Sequence, residues 1–404
     1  MNKPTVVSLF AGAGGMDLGF QKAGFEIIWA NDFDKDSVDT YKKNFGSHIV
    51  LGDIKNIPSS DIPDNPDVVI GGFPCQGFSI NNKKRSMDDE RNHLYKEMLR
   101  IIKDKKPKYF VAENVKGILS LEKGEVIKLI VNDFKKIGYD VDYKLLTASD
   151  YGVPQNRQRV FIIGNRINKD NPYPKVTHYN PNLKKNQQLN LLDNDLKPYV
   201  TAKEVLEHLS NTRISYDPIK VGNKYVYNHI ARTNVAETFW GRKYKVNQHD
   251  ICDYLKEARN KSEWSTQKID EYFGYRHTAG HWFRKDNNSG SIPNPEDWWE
   301  LKKLLKFNDK YDKAVTTLEE KTITFEQSLR IANWDTPSDT ITATGTEIHP
   351  NKKRRISVRE AAILQTFPDN FKFVGSMGSM YKQIGNAVPV SLSKLIAKGI
   401  KQYL

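Results

Sequence analysis

The chain has 404 residues, with 62 Lys and Arg against 49 Asp and Glu, a formal net charge of +13, and 38% hydrophobic and 27% charged residues. That length supports two or three domains with a core that needs no staples, and the two cysteines, Cys75 and Cys252, exclude a disulfide scaffold and lack the spacing of a zinc site. No uncharged apolar run could span a bilayer, so the expectation is a soluble, cytoplasmic protein whose positive charge suits a polyanionic partner.

Up to about residue 165, strand-like and helix-like stretches alternate. Thr5–Phe10 is an apolar run, followed by glycines and a helical pattern over Met16–Ala23. Glu26–Ala30 predicts a strand, Lys35–Asn44 a helix, and Ile49–Gly52 and Asp67–Ile70 two short strands. Tyr95–Lys103 predicts a helix, Tyr109–Ala112 a strand, Glu125–Lys136 a helix, and Arg159–Gly164 a last strand. Such alternation argues for an α/β fold with a doubly wound, mostly parallel sheet covered on both faces. From Asn165 to Asp339 the chain turns polar, aromatic and irregular, and holds six of the seven tryptophans. Helical patterns return at Val358–Thr366 and Ser391–Gln402. The expected organisation is a catalytic domain over 1–180, a smaller second domain with its linkers over 181–372, and a C-terminal helical segment over 373–404 that returns to the first.

Five unusual groups follow or end the first five strands. They are Phe10 to Gly15, Asn31-Asp32, Gly52-Asp53, Phe73-Pro74-Cys75-Gln76 and Glu113-Asn114-Val115. In an open parallel sheet the carboxyl ends of the strands share one edge, where ligands bind. The glycine loop is not a dinucleotide fingerprint, because counting from Gly12 the last glycine is replaced by Asp17, and no Gly-Lys-Ser/Thr follows. Asp32 lies where a carboxylate meets a ribose diol in nucleotide-binding α/β folds, and Asp53 could accept from an adenine amine. An adenosine without phosphates suits this set. Cys75, stiffened by Pro74 and followed by the basic Lys83, Lys84 and Arg85, has surroundings that favour a thiolate nucleophile, and Glu113 could serve the same substrate with a proton.

These residues resemble the DNA cytosine-5 methyltransferases, in particular the bacterial type II restriction-modification enzymes. Nine segments match in family order: Phe10–Gly15, Asn31-Asp32, Gly52-Asp53-Ile54, Gly71–Gln76, Asp89–Leu94, Glu113-Asn114-Val115, Gln155–Arg159, Arg359–Pro368 and Gln383–Pro389. The resemblance covers the first 165 residues and roughly the last 55. It implies a class I S-adenosylmethionine-dependent methyltransferase fold, Rossmann-like, with a second, smaller target-recognition domain. The implied activity is methylation of C5 of a cytosine flipped out of a specific double-stranded DNA site, protecting DNA from a cognate restriction endonuclease. The family works as a monomer without metal.

The resemblance carries roles onto single residues. Cys75 would attack C6 of the base, Glu113 would contact N3 and the exocyclic amine, and Arg157 and Arg159 would hold the flipped cytosine. Phe10, Gly12, Gly14, Asp32, Phe33, Asp53, Ile54, Pro74, Leu94, Asn386, Ala387 and Val388 would surround S-adenosylmethionine. Gln76 is a further candidate DNA contact, as are Ser79, Lys83, Lys84 and Arg85 on the stretch Gly77–Asn92, which matches the loop closing over the flipped base. Arg242, Arg276 and Thr342 are candidate DNA contacts in the recognition region, within or near the aromatic and basic segments Asn223–His229, Trp240–Lys245 and Gly274–Lys285. An RNA cytosine methyltransferase is the competing enzyme class, disfavoured by the long recognition region and by the position of Cys252. A binding protein that has lost catalysis would be expected to lack Cys75 or Glu113.

Overall fold

The computed structural model describes residues 2–74, 94–182, 196–209, 218–231, 242–243, 248–274, 282, 293, 295–317, 319–320, 330–344, 347–351 and 354–404. The chain divides into two compact units: Met1–Ala231 with Ala332–Gly345 and Ser357–Leu404, and Arg232–Ile331 with Thr346–Ile356.

The first unit is built on β1 (Thr5–Leu9), α1 (Gly15–Lys22), β2 (Glu26–Asp32), α2 (Lys35–Phe45), β3 (Ile49–Leu51), β4 (Val68–Gly71), α3 (Leu94–Lys105), β5 (Tyr109–Val115), α4 (Glu125–Lys136), β6 (Asp140–Thr147) and β7 (Gln158–Asn165). Three late helices complete it: α5 (Val358–Leu364), α6 (Met377–Asn386) and α7 (Val390–Lys401). The strands form one sheet in the order β3-β2-β1-β4-β5-β7-β6. The first five strands are parallel, and β7 runs antiparallel to both β5 and β6.

Both sheet faces are buried, and the side chains sort by the two-residue period of a strand. Val7, Leu9, Val69, Phe110, Ala112, Val160 and Ile162 meet Met98 and Ile102 of α3 and Ile127, Ile130 and Phe134 of α4. Their neighbours Val6, Val68, Ile70, Val111, Phe161 and Ile163 face the other way, onto Phe20 of α1 and Leu392, Ile396 and Ile400 of α7. The Ser393 hydroxyl of α7 donates to the Met16 carbonyl of α1 at 2.8 Å, joining the first and last helices. Side-chain caps fix where helices start: Asp34 accepts from the Ser37 amide ahead of α2, and Ser357 with Glu360 forms a reciprocal capping box on α5.

Two expectations change. β6 was not anticipated, because the exposed edge strand Asp140–Thr147 buries few of its side chains and shows no clean alternation. The expected boundaries at 181 and 372 also differ from the observed division, since the described parts of 196–231 and the stretch 357–372 belong to the first unit. Buried polar contacts set that division. Arg359 is fully buried and donates to the carbonyls of Tyr227, Pro368 and Phe371, while His229 and Ser357 meet at 2.8 Å.

The second unit, read as irregular in sequence, contains the helices Gln248–Asn260, Thr266–Phe273 and Pro295–Leu305. They enclose Ile251, Leu255, Ile269, Trp282, Trp298 and Leu301. Trp298 is fully buried and its indole N–H donates to Asp312, whereas Trp299 is exposed. Among the described residues no helix is long and apolar enough to cross a membrane.

Candidate active site

At the carboxyl edge of the sheet, beside the β1/β4 boundary where the strand order reverses, lies a cavity of about 810 Å³. This is the crevice in which doubly wound sheets bind ligands, and the volume suits a nucleoside-sized molecule. Its walls come from the glycine loop, the end of β2, the segment after β4, the end of β5, the start of β7 and the C-terminal end of α6.

The glycine loop is held by backbone geometry and by one carboxylate. Phe10 leaves β1 with φ 54°, a left-handed conformation that non-glycine residues rarely adopt, and lines the cavity. Gly14 takes φ 85° at the start of α1, where a Cβ would come within 2.4 Å of the Phe45 ring, so only glycine fits. Asp32 accepts from the Gly12 amide at 2.7 Å and from the Asp34 amide at 2.8 Å, tying the loops after β1 and β2 together. Burial pushes its carboxyl above the usual range, while those two amide bonds oppose the shift. Beside it Phe33 is 69% exposed on the cavity wall, an uncovered aromatic face next to a carboxylate.

The opposite wall brings together residues from β4, β5 and β7. The Asn114 side-chain amide donates to the Phe73 carbonyl at 3.0 Å and pins the chain two residues before Cys75. Arg159 Nε lies 2.9 Å from Glu113 Oε1, with both side chains nearly buried. The pair meets because β7 is antiparallel to β5, which places its first residues at the carboxyl end of β5, with Arg159 opposite Val115. Burial raises the Glu113 pKa above the ordinary carboxyl value, although Arg159 and then Arg157 pull it down. Burial also lowers the Arg159 pKa, against the pull of Glu113.

Several expected residues converge on this cavity: Phe10, Gly12, Asp32, Phe33, Pro74, Leu94, Glu113, Arg159, Asn386, Ala387 and Val388 all line it. Others do not. Gly14 shapes the loop from behind. Asp53 is exposed and accepts from the Lys55 amide, capping a short turn, and Ile54 is buried in the core beneath α3. Arg157 is fully buried away from the cavity wall, its fork donating to the carbonyls of Ile341 and Gly385. It therefore braces the backbone under Asn386 where base contact was expected.

The remaining expectations fall elsewhere. Thr342 is partly buried, with its hydroxyl 3.0 Å from that of Thr344. In Asn223–His229, Asn228 bonds the Phe373 backbone and His229 is buried in the first unit. Cys75, Gln76, Ser79, Lys83, Lys84, Arg85, Arg276 and the Arg242 side chain lie outside the described residues. Among the wall residues that sequence reasoning missed are the charged Asp17, Asp34 and Lys382. Asp34 and Lys382 pair at 2.8 Å across 348 residues, a contact with no local signal, and the ammonium holds Asp34 below the usual carboxylate range against the effect of burial.

No phosphate-binding set is present on the described walls. The two cationic side chains there, Arg159 and Lys382, are already paired with carboxylates. An exposed aromatic, a carboxylate at the end of β2 and a tight glycine loop fit an adenosine that carries no pyrophosphate.

Residues 4–402 match the model of the C-5 cytosine-specific DNA methylase family. The chain is 33% identical over 407 residues to the type II methyltransferase M.NgoFVII of Neisseria gonorrhoeae, covering 99% of this chain and 87% of the relative. It is also 33% identical over 422 residues to the type II methyltransferase M.FnuDI of Fusobacterium nucleatum, covering 99% and 94%. Among solved structures, a prophage-encoded DNA modification methyltransferase from E. coli shares the fold, with a TM-score of 0.57, 24% identity and 99% of both chains covered.

Proposed function

The chain belongs to the C-5 cytosine-specific DNA methylase family, and on that premise we propose that it methylates C5 of a cytosine turned out of a specific double-stranded DNA site, with S-adenosylmethionine as donor. The observation that carries this reading is the buried Glu113–Arg159 pair in a nucleoside-sized cavity that Pro74, the residue before Cys75 in the sequence, also lines. The bound cofactor supplies an electrophilic methyl group. Phe33 and Asp32 would receive its adenosine, and Phe10, Pro74, Leu94 and Asn386 to Val388 would enclose the rest.

The chain's own residues have to make C5 nucleophilic. The Cys75 thiolate adds to C6, and the electron pair displaced from the C5–C6 bond makes C5 enamine-like, with charge building on N3. Glu113, whose pKa burial raises, would in its protonated form donate to N3 and neutralise that charge, while Arg159, paired with it, would fix its orientation and offer donors to the base. Once C5 carries the methyl group it loses its proton to a base such as water, and the thiolate leaves C6. A base stacked in a duplex cannot reach this pocket, so flipping is required, and the family resemblance gives the stretch Gly77–Asn92 the task of closing over it. The relatives' names as type II methyltransferases support a protective role beside an endonuclease of the same specificity.

Incubation with S-adenosylmethionine and unmethylated DNA, followed by bisulfite sequencing, tests the reading. Protection of cytosines in one short recurring context is expected. Cofactor binding without protection on DNA would overturn the choice of substrate, and tRNA would be assayed next. A 5-fluorocytosine duplex should form a denaturation-resistant adduct with the wild type and none with Cys75→Ser.

A further inference from the structure

One fully buried wall carboxylate is not used by this mechanism. Asp17 lies in the first turn of α1, has no solvent exposure, and lines the cavity behind the glycine loop with Ser8. Its Oδ1 accepts from the Tyr41 hydroxyl at 2.9 Å, and Tyr41 in turn meets His48 Nε2 at 3.2 Å. Its Oδ2 is buried and makes no hydrogen bond. The Ser8 side chain lies close enough to favour the charged carboxylate, and Asp32 adds a smaller like-charge repulsion. A buried carboxylate oxygen without a partner is costly, and such an atom on a ligand cavity wall is explained when the ligand brings the missing donor. The other wall carboxylates, Asp32, Asp34 and Glu113, are each engaged by a backbone amide or a cationic side chain.

We propose that Asp17 is a cofactor-binding residue whose Oδ2 receives the cationic end of S-adenosylmethionine, the amino-acid ammonium or the sulfonium, while Tyr41 holds the other oxygen. This rests on the cofactor assignment above and adds a charge contact that the adenosine contacts do not supply. The arrangement has a clear division of labour: Asp32 and Phe33 recognise what every adenosine carries, and Asp17 recognises what only the amino-acid sulfonium end carries. Tyr41 and His48 lie behind Asp17, on the side away from the cavity wall, so they orient the carboxylate without touching the ligand.

Equilibrium binding by calorimetry, without DNA, separates the possibilities. S-adenosylmethionine carries both cations, S-adenosylhomocysteine keeps only the ammonium, and methylthioadenosine has neither. In Asp17→Asn, affinity for the first ligand should fall about tenfold or more, as expected when a charge-assisted contact is lost, with methylthioadenosine unaffected. An equal fall for S-adenosylhomocysteine assigns the ammonium, and no fall for it assigns the sulfonium. Equal losses for all three ligands, or no loss for any, would overturn the proposal. Failure of the wild type to bind any of them would instead sink the cofactor assignment. Should Asp17→Asn not fold, the wild type still decides: from about pH 5 to about pH 7, affinity for the cationic ligands should rise relative to methylthioadenosine. Asp32 faces all three ligands and cancels from that ratio, and a flat ratio would overturn the proposal.

Discussion

The guanidinium of Arg157 donates to the carbonyl of Gly385 at 2.8 Å, joining residues 228 positions apart. A second bond from the same fork reaches the Ile341 carbonyl at 3.1 Å. Gly385 itself leaves no room for a side chain, since a Cβ there would stand 2.3 Å from the Thr342 carbonyl carbon. Arg157 thus clamps α6 and the 341–342 backbone together, one residue from Asn386 and two from Arg159. A lysine has one point of attachment where arginine has a fork. Arg157→Lys should therefore cost about 2–3 kcal/mol of stability in urea melts and weaken cofactor binding with it. Unchanged stability would show that the two carbonyls find other donors.

Glu113→Gln should lower kcat about 100-fold or more while leaving cofactor affinity close to wild type. Because burial raises its pKa, the protonated form required at N3 is present below that raised value and is lost as pH climbs through it. Single-turnover rates should decline on that alkaline limb in the wild type. The variant should lack that particular decline, and an identical pH profile in both would remove Glu113 from the proton step.

Asp17 makes a prediction of opposite sign for stability. Burial moves its pKa from 3.8 to about 6. The folded state therefore holds its proton more tightly than the unfolded chain does, so stability falls as pH rises from about 4 to 6 and stays reduced above that window. The charged form costs on the order of 3 kcal/mol at neutral pH. Asp17→Asn should accordingly melt higher than the wild type at pH 7, with the advantage fading towards pH 4. A variant less stable at pH 7 would mean that the ionised carboxylate is a structural asset in the empty protein.

Replacing Lys83, Lys84 and Arg85 together by alanine should weaken DNA binding and flatten its salt dependence. If each contacts a phosphate, the slope of log K against log salt should drop by up to about 3. An unchanged slope would exclude these side chains from the phosphate backbone.

Much of the first unit could be read in the sequence because its core strands are short apolar runs between glycine, proline and acidic punctuation. Glu125–Lys136 was placed to the residue, and the strands through Tyr109 within a few positions. α6 escaped because Gly378, Ser379 and Gly385 obscure its period; one of those glycines exists for a backbone contact with residues over forty positions earlier. The helices of the second unit escaped because their apolar residues, including Ile251, Leu255 and Trp298, are scattered among charges and polar residues. At the site, the strand-end residues were legible because topology alone collects them. Asp53 and Ile54 sit at a strand end too, yet one caps a turn and the other fills the core, which position along the chain does not reveal. Lys382 required the fold, since only the return of α6 carries it to Asp34.

The cavity is walled by residues from Ser8 to Val388, and α7, ending at Lys401, is what seats α1 behind the glycine loop. On the ribosome the strand Thr5–Leu9 is made well before the helix Val390–Lys401 that braces it. At about 5–20 residues per second, the glycine loop waits tens of seconds for its support. A chain cut short of α7 would hold the strand-end residues of the cavity without the helix that seats α1 behind the glycine loop.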